Sequence, residues 1–249
     1  MSAAPLAATA LLAVLGLSAC ASSAERSARI AASGNHLIAD RGDLKIVPAK
    51  DIAIGRTVVV RGDGAAAAVV QITNRSRQTK ADVPVLIDVK DRKGTRVYSN
   101  ADLGLQHSLQ RLAALRPHQT VWWVNDQLLG AEDSASRVKA RVGRSAVATR
   151  VPRVTLSKVH WDADSAGPYL TGTVVNEGRT LLRDVPIFAV ARAHGRVIAA
   201  GRALLTKLPP GVLPKPVKFR IVFVGRDARR AQIALTVAPT VAAPKEASS

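Results

Sequence analysis

One segment of this chain occurs twice. Thr73-Asn74, then Asp82-Val83-Pro84, an alternating apolar run and Gly94 return as Val175-Asn176, Asp184-Val185-Pro186 and Gly195. The Asn-to-Asp spacing is eight residues in both copies, and the Pro-to-Gly spacing is ten in one and nine in the other. A spacing held over that distance requires both copies to be the same supersecondary unit. Inside each copy the apolar period is two. Val83, Val85, Ile87 and Val89 share one face, with Pro84, Leu86, Asp88 and Lys90 opposite, and Val185, Ile187, Ala189 and Ala191 reproduce that face.

The rest of the chain repeats the same plan. Thr57-Val58-Val59-Val60, Ala65 to Thr73, Thr120 to Val124 and Arg137 to Val142 are strand-like runs separated by turn residues such as Arg61-Gly62-Asp63-Gly64 and Asp91-Arg92-Lys93-Gly94. Val154 to Trp161, Tyr169 to Val175, Val217 to Phe223 and Gln232 to Val237 follow in the second copy, with Asp162 to Gly167 as a turn. Short strands at roughly ten-residue spacing predict an all-β chain of two tandem antiparallel Greek-key sandwiches. The expected boundaries are 43–147 for the first unit and 150–238 for the second, with 239–249 as a disordered tail. Each unit is expected to bury its own core. Aromatics are only 3% of residues, so Val, Ala and Leu must fill those cores. Of the adjacent pair Trp122 and Trp123, one is expected to face inward and the other outward, covered by a loop or the neighbouring unit or marking a ligand or domain contact.

The first 19 residues carry no charged side chain, and Ala10-Leu11-Leu12-Ala13-Val14-Leu15 is too short an apolar run to span a bilayer. Leu17-Ser18-Ala19-Cys20 follows, and Cys20 is the only cysteine. Those four residues resemble the lipobox of bacterial lipoproteins, in which the cysteine sulfur receives a diacylglycerol and the preceding bond is cut. The resemblance implies a signal peptide over 1–19, recognised through Leu17, Ser18 and Ala19, and lipidation at Cys20. The polar segment 20–42 then reads as a flexible tether, and the location as extracytoplasmic, on the cell membrane or on an outer membrane if the source has one.

Gly172-Thr173-Val174-Val175-Asn176, Asp184-Val185-Pro186-Ile187-Phe188, Gly195 and the pair Pro210-Gly211 ahead of a Phe-containing strand resemble FxLYD-type Ig-like domains of prokaryotic envelope proteins. The literal F-x-L-Y-D string is absent. That resemblance implies a non-catalytic envelope module and supplies no catalytic residue.

Catalytic chemistry has little footing in the sequence. The histidines His36, His107, His118, His160 and His194 lack metal-ligand spacing, and no cysteine stands beside them. His160-Trp161-Asp162-Ala163-Asp164 fails as a calcium loop because its twelfth position from Asp162 is Thr173, which leaves an Asp-rich turn that caps its own amides. No nucleophile elbow or phosphate loop is present, so the expectation is a protein that is not an enzyme and needs no cofactor. Two Arg-Gly-Asp triplets, at Arg41 and Arg61, read as turn tripeptides.

Charge carries the remaining information. The net charge is +18, which favours an anionic partner. From Arg137 to Lys158 there are seven cations and no acid. On a strand, Arg137, Lys139 and Arg141 project from one face, and Arg144, Arg150 and Arg153 continue the run. The expected role is a surface for anionic lipid head groups or wall polymers, against the plainer reading of a charged edge strand. Nucleic acid is disfavoured by export and by the shortage of stacking aromatics. Two alternatives are an accessory subunit docking onto an envelope enzyme or transporter, and a hydrolase with an unrecognised site.

Overall fold

The structure, a computed structural model, describes residues 46–62, 64–101, 105–211 and 216–239. The expected signal peptide over 1–19, Cys20, the expected tether over 20–42, Arg41-Gly42-Asp43 and residues 240–249 of the expected tail lie outside the described residues.

The fold is all-β, and every ladder is antiparallel. In the first half β1 (Ile52–Gly62), β2 (Ala65–Asn74) and β6 (Thr120–Asn125) form a sheet in the order β1-β2-β6. β3 (Thr79–Lys90) is the centre of the facing sheet. β4 (Arg96–Ser99) and β5 (Arg111–Leu115) pair with it, as do β7 (Arg137–Val142) and β8 (Ala146–Ala148). The second half uses β9 (Val154–Asp164), β10 (Gly167–Asn176) and β13 (Val217–Val222) for its first sheet, ordered β13-β10-β9. Its other sheet is β14-β12-β11-β15, built from β11 (Leu182–Ala193), β12 (Arg196–Leu208), β14 (Val224–Gly225) and β15 (Gln232–Val237). The two halves thus share one pairing scheme, with β11 standing for β3 and β15 for β7. β9 runs to Asp164, so the expected turn starting at Asp162 is shorter than the sequence suggests.

The repeated residues hold the same places in both halves. Asn74 and Asn176 end β2 and β10, fully buried. Asn74 Nδ2 donates to the carbonyls of Gln78 (2.7 Å), Leu115 (3.2 Å) and Arg116 (3.0 Å), while its Oδ1 accepts from Ser76 N (3.0 Å). Asn176 Nδ2 donates to Thr180 and Leu208, and its Oδ1 accepts from Gly178 N. Each asparagine therefore ties its own turn to the end of a strand in the facing sheet. Asp82 (φ 54°) and Asp184 (φ 49°) occupy the left-handed region, which Asp tolerates better than a β-branched residue. The prolines that follow turn their carbonyls to the neighbouring edge: Pro84 O accepts from Gly143 N and Pro186 O from Ala238 N.

The alternation in β3 and β11 resolves as expected on the inner faces. Val83, Val85, Ile87 and Val89 join one apolar cluster, and Val185, Ile187 and Ala189 join another. The first cluster does not stop at the first half: it includes Phe188, Val190, Ala200 and Ala238. The outer face of β1-β2-β6 lies against the sheet of β11 and β12, so the strands in contact are apolar on both faces. Residues opposite each other in an antiparallel ladder share a side. Trp123 pairs with Val70 and sits on the inner face of the first half; its Nε1 donates to Ser108 O (3.0 Å). Trp122 pairs with Gln71 and faces the second half, where it is also buried.

Gly62 of the second Arg-Gly-Asp triplet serves this packing. A Cβ on Gly62 would come within 2.8 Å of Gly225 N. The glycine is required by the approach of two backbones from opposite halves.

Candidate anion-binding face

The outward residues of the sheet around β3 define the most basic surface that the sequence anticipates. β3 places Leu86, itself buried, with Asp88 and Lys90 on this side, and β7 lies beside it in the register Leu86–Arg141, Asp88–Lys139 and Lys90–Arg137. Arg137, Lys139 and Arg141 are all exposed, with Val138, Ala140 and Val142 turned to the apolar side. On the other flank Lys90 pairs with Arg96. One rung across the sheet is therefore Arg137, Lys90 and Arg96, with no acid in it. Asp88 stands in the adjoining rung, 3.4 Å from Arg141 and 3.9 Å from Arg96.

Toward the other end of the same face Asp82 meets His107 Nε2 at 2.8 Å and Arg111 at 2.6 Å. The close contact with His107, with Arg111 alongside, holds the Asp82 carboxyl below the usual carboxylate range. The acids of this face are thus already engaged, while Lys90, Arg137 and Lys139 have no carboxylate partner among the described residues. Lys90, Arg96 and Arg111 come from separate parts of the chain. Their place beside β7 follows only from the pairing of β3 with both its neighbours, which the run of cations after Arg137 does not reveal.

The structure divides that run. Arg137 pairs at the Lys90 end of β3, and β8, which leads to Arg150, pairs at Thr79. Those ends are the two termini of the 12-residue β3, about 35–40 Å apart at the usual strand rise. Arg144 lies just past β7, its N–H bonded to Val47 O. Arg150 and Arg153 sit in the connection between the halves, next to a groove of ≈ 230 Å³ lined by Val151, Pro152, Val154, Leu156, Leu235 and Val237 together with Arg116. Arg137, Lys139 and Arg141 thus share one face with Lys90 and Arg96, whereas Arg150 and Arg153 adjoin in sequence the lining residues Val151 and Pro152 of a groove that Arg116 also lines.

The Asp-rich stretch caps its own backbone. Asp162 Oδ1 accepts from Ala163 N and Asp164 Oδ1 from Ala166 N. Asp164 is also paired with Arg220, whose guanidinium lies 3.8 Å above the Tyr169 ring. Among the described residues no group of three His, Cys, Asp or Glu side chains could hold a metal ion. No protein-family model matches the chain, and no curated protein matches it either.

Proposed function

We propose that this chain is a lipid-anchored, extracytoplasmic envelope protein whose Ig-like modules act as a non-catalytic binding scaffold for an anionic lipid or wall polymer. The observation that carries the reading is the outer sheet face, where Arg137, Lys139, Arg141, Lys90 and Arg96 stand together and Asp88 is the acid among them. Near an anionic membrane each such cation contributes about 1 kcal/mol, and the contributions fade within a Debye length. The lipobox-like Leu17-Ser18-Ala19-Cys20 supports the anchor, since two acyl chains at roughly 0.8 kcal/mol per buried methylene hold a protein on a bilayer.

Two measurements test this. Cys20→Ala moves the protein from the membrane fraction to the soluble one; membrane retention by the variant would remove the anchor. For the face, the chain without its signal is mixed with vesicles of phosphatidylglycerol and with purified wall polymer. Replacing Arg137, Lys139 and Arg141 by Gln lowers binding and flattens its dependence on salt. Equal binding by the triple variant sinks the proposal for this face.

A further inference from the structure

The two halves differ at one edge. In the first half β7 is covered: Ala49 N donates to Val142 O (3.1 Å), Arg144 N to Val47 O (2.7 Å), and Thr57 Oγ1 to Val138 O (3.1 Å). Val47 to Ala49 lie along the end of the strand and β1 lies against its length. β7 also carries a cation at every second residue, a common protection for an edge strand.

β15 occupies the matching place in the second half. Ala238 N points to Pro186 O, as Gly143 N points to Pro84 O, so the N–H and C=O groups of Ile233, Leu235 and Val237 face away from β11. Among the described residues no strand pairs with that side of β15. Its sequence, Gln-Ile-Ala-Leu-Thr-Val, has no charge and no proline. The segment that would match Val47 to Ala49 is Thr149 to Val151. In place of hydrogen bonds, the ≈ 230 Å³ groove separates Val151 and Pro152 from Val237 and Pro239. Val154 and Leu156 of β9 form the far wall, and with Ile233, Leu235 and Val237 they are only partly buried. The apolar layer of the second half is open along this side.

We infer that the outer edge of β15 and the groove beside it bind an extended segment of a partner protein, with alternate apolar side chains and acidic residues at its ends. The segment pairs with Ile233, Leu235 and Val237 as an added strand and places its apolar side chains between β15 and β9. The acid requirement comes from charge. Arg116 lines the groove, exposed Arg150 and Arg153 flank it, and exposed Arg230 precedes the other end of β15, next to Arg229, which is paired with Asp227 (2.7 Å). The same cations disfavour a second copy of this chain, because two antiparallel β15 edges would bring arginine clusters together at both ends. The inference does not depend on the basic face around β3.

The test uses the chain without its signal, three synthetic peptides and a lysine-ended control. The first alternates Val and Thr over a centre matching the six residues of β15, with glutamates at both ends. The other two carry the same side chains but are N-methylated at alternate residues, one set on each edge. The unmodified peptide binds and slows amide exchange at Leu235. One N-methylated peptide retains binding, and the other loses on the order of tenfold or more, because only one edge of the added strand meets β15. Arg116→Glu with Arg153→Glu reverses the preference toward a peptide with lysine ends. Equal binding of both N-methylated peptides overturns the inference. So does slow Leu235 exchange without peptide, whether from a sedimenting dimer or lost on deleting 240–249.

Discussion

At the residue scale, the repeat records side chains that hold turns rather than side chains that react. Asn74 and Asn176, both buried, each present an amide to a cluster of carbonyls. Asn74→Asp turns the donor into an anion facing three carbonyls, so it is expected to cost about 2–3 kcal/mol, more than the same change on an exposed turn. Urea midpoints of Asn74→Asp and Asn176→Asp measure this, and a midpoint equal to the parent would contradict it. Asp82 gives a pH prediction. Its carboxyl titrates below the ordinary range through the His107 contact, so the folded state binds that proton less readily than the unfolded one. The interaction therefore stabilises the fold above roughly pH 4 and is lost as pH falls through the folded value. Asp82 is half exposed, and solvent screening keeps the effect small. Asp82→Asn is expected to flatten the acid limb of stability against pH while leaving thermal stability near neutrality slightly lower.

At the scale of elements, much of the architecture was legible. Arg137–Val142 and Gln232–Val237 have the bounds that their sequence patterns imply, because period two survives where one side of a strand meets solvent or an open groove. β2 alternates poorly, and β11 keeps its inner period but is apolar at Phe188 and Val190 on the other side as well, since both strands are packed from both sides; β12 and β5 lack a strict period and give no strand signal. Asn100 also has no signature: it accepts from Ile87 N and donates to Val85 O, filling the ladder between β4 and β5. The three cations of β7 were readable from spacing alone, but their partners Lys90 and Arg96 needed the pairing of β3. The β11–β12 hairpin offers its own test. Ala193 pairs with Arg196, and both residues between them have positive φ, His194 at 48° and Gly195 at 73°. Such a two-residue turn favours Asn at its first position. His194→Asn is expected to stabilise by a few tenths of a kcal/mol, and His194→Val to destabilise by about 1 kcal/mol, read from thermal melts. The reverse order would contradict the turn assignment.

For the whole molecule, the contact between halves decides how the chain unfolds. Phe188, Val190 and Ala200 pack into the cluster that holds Trp123 and Val69, and Trp122 faces the second half. Arg202 is almost fully buried and reaches across to Asp126 (3.2 Å), Gln106 (2.7 Å) and Ser108 (2.5 Å), the last two in the excursion between β4 and β5. That excursion, absent from the second copy, thus serves as the receptor for a side chain of its twin. Separating the halves would expose these apolar residues and break the hydrogen bonds of Arg202, so the halves are expected to lose structure together. Tryptophan fluorescence can follow both, with Trp161 reporting the second half when Trp122 and Trp123 are replaced by Phe, and those two reporting the first when Trp161 is replaced. The expected result is one shared urea midpoint. Arg202→Ala leaves Asp126 with no cation and is expected to lower both midpoints by the equivalent of about 2–3 kcal/mol. If Trp161 instead reports an independent transition that Arg202→Ala leaves in place, the two halves are separate folding units joined by a chance contact.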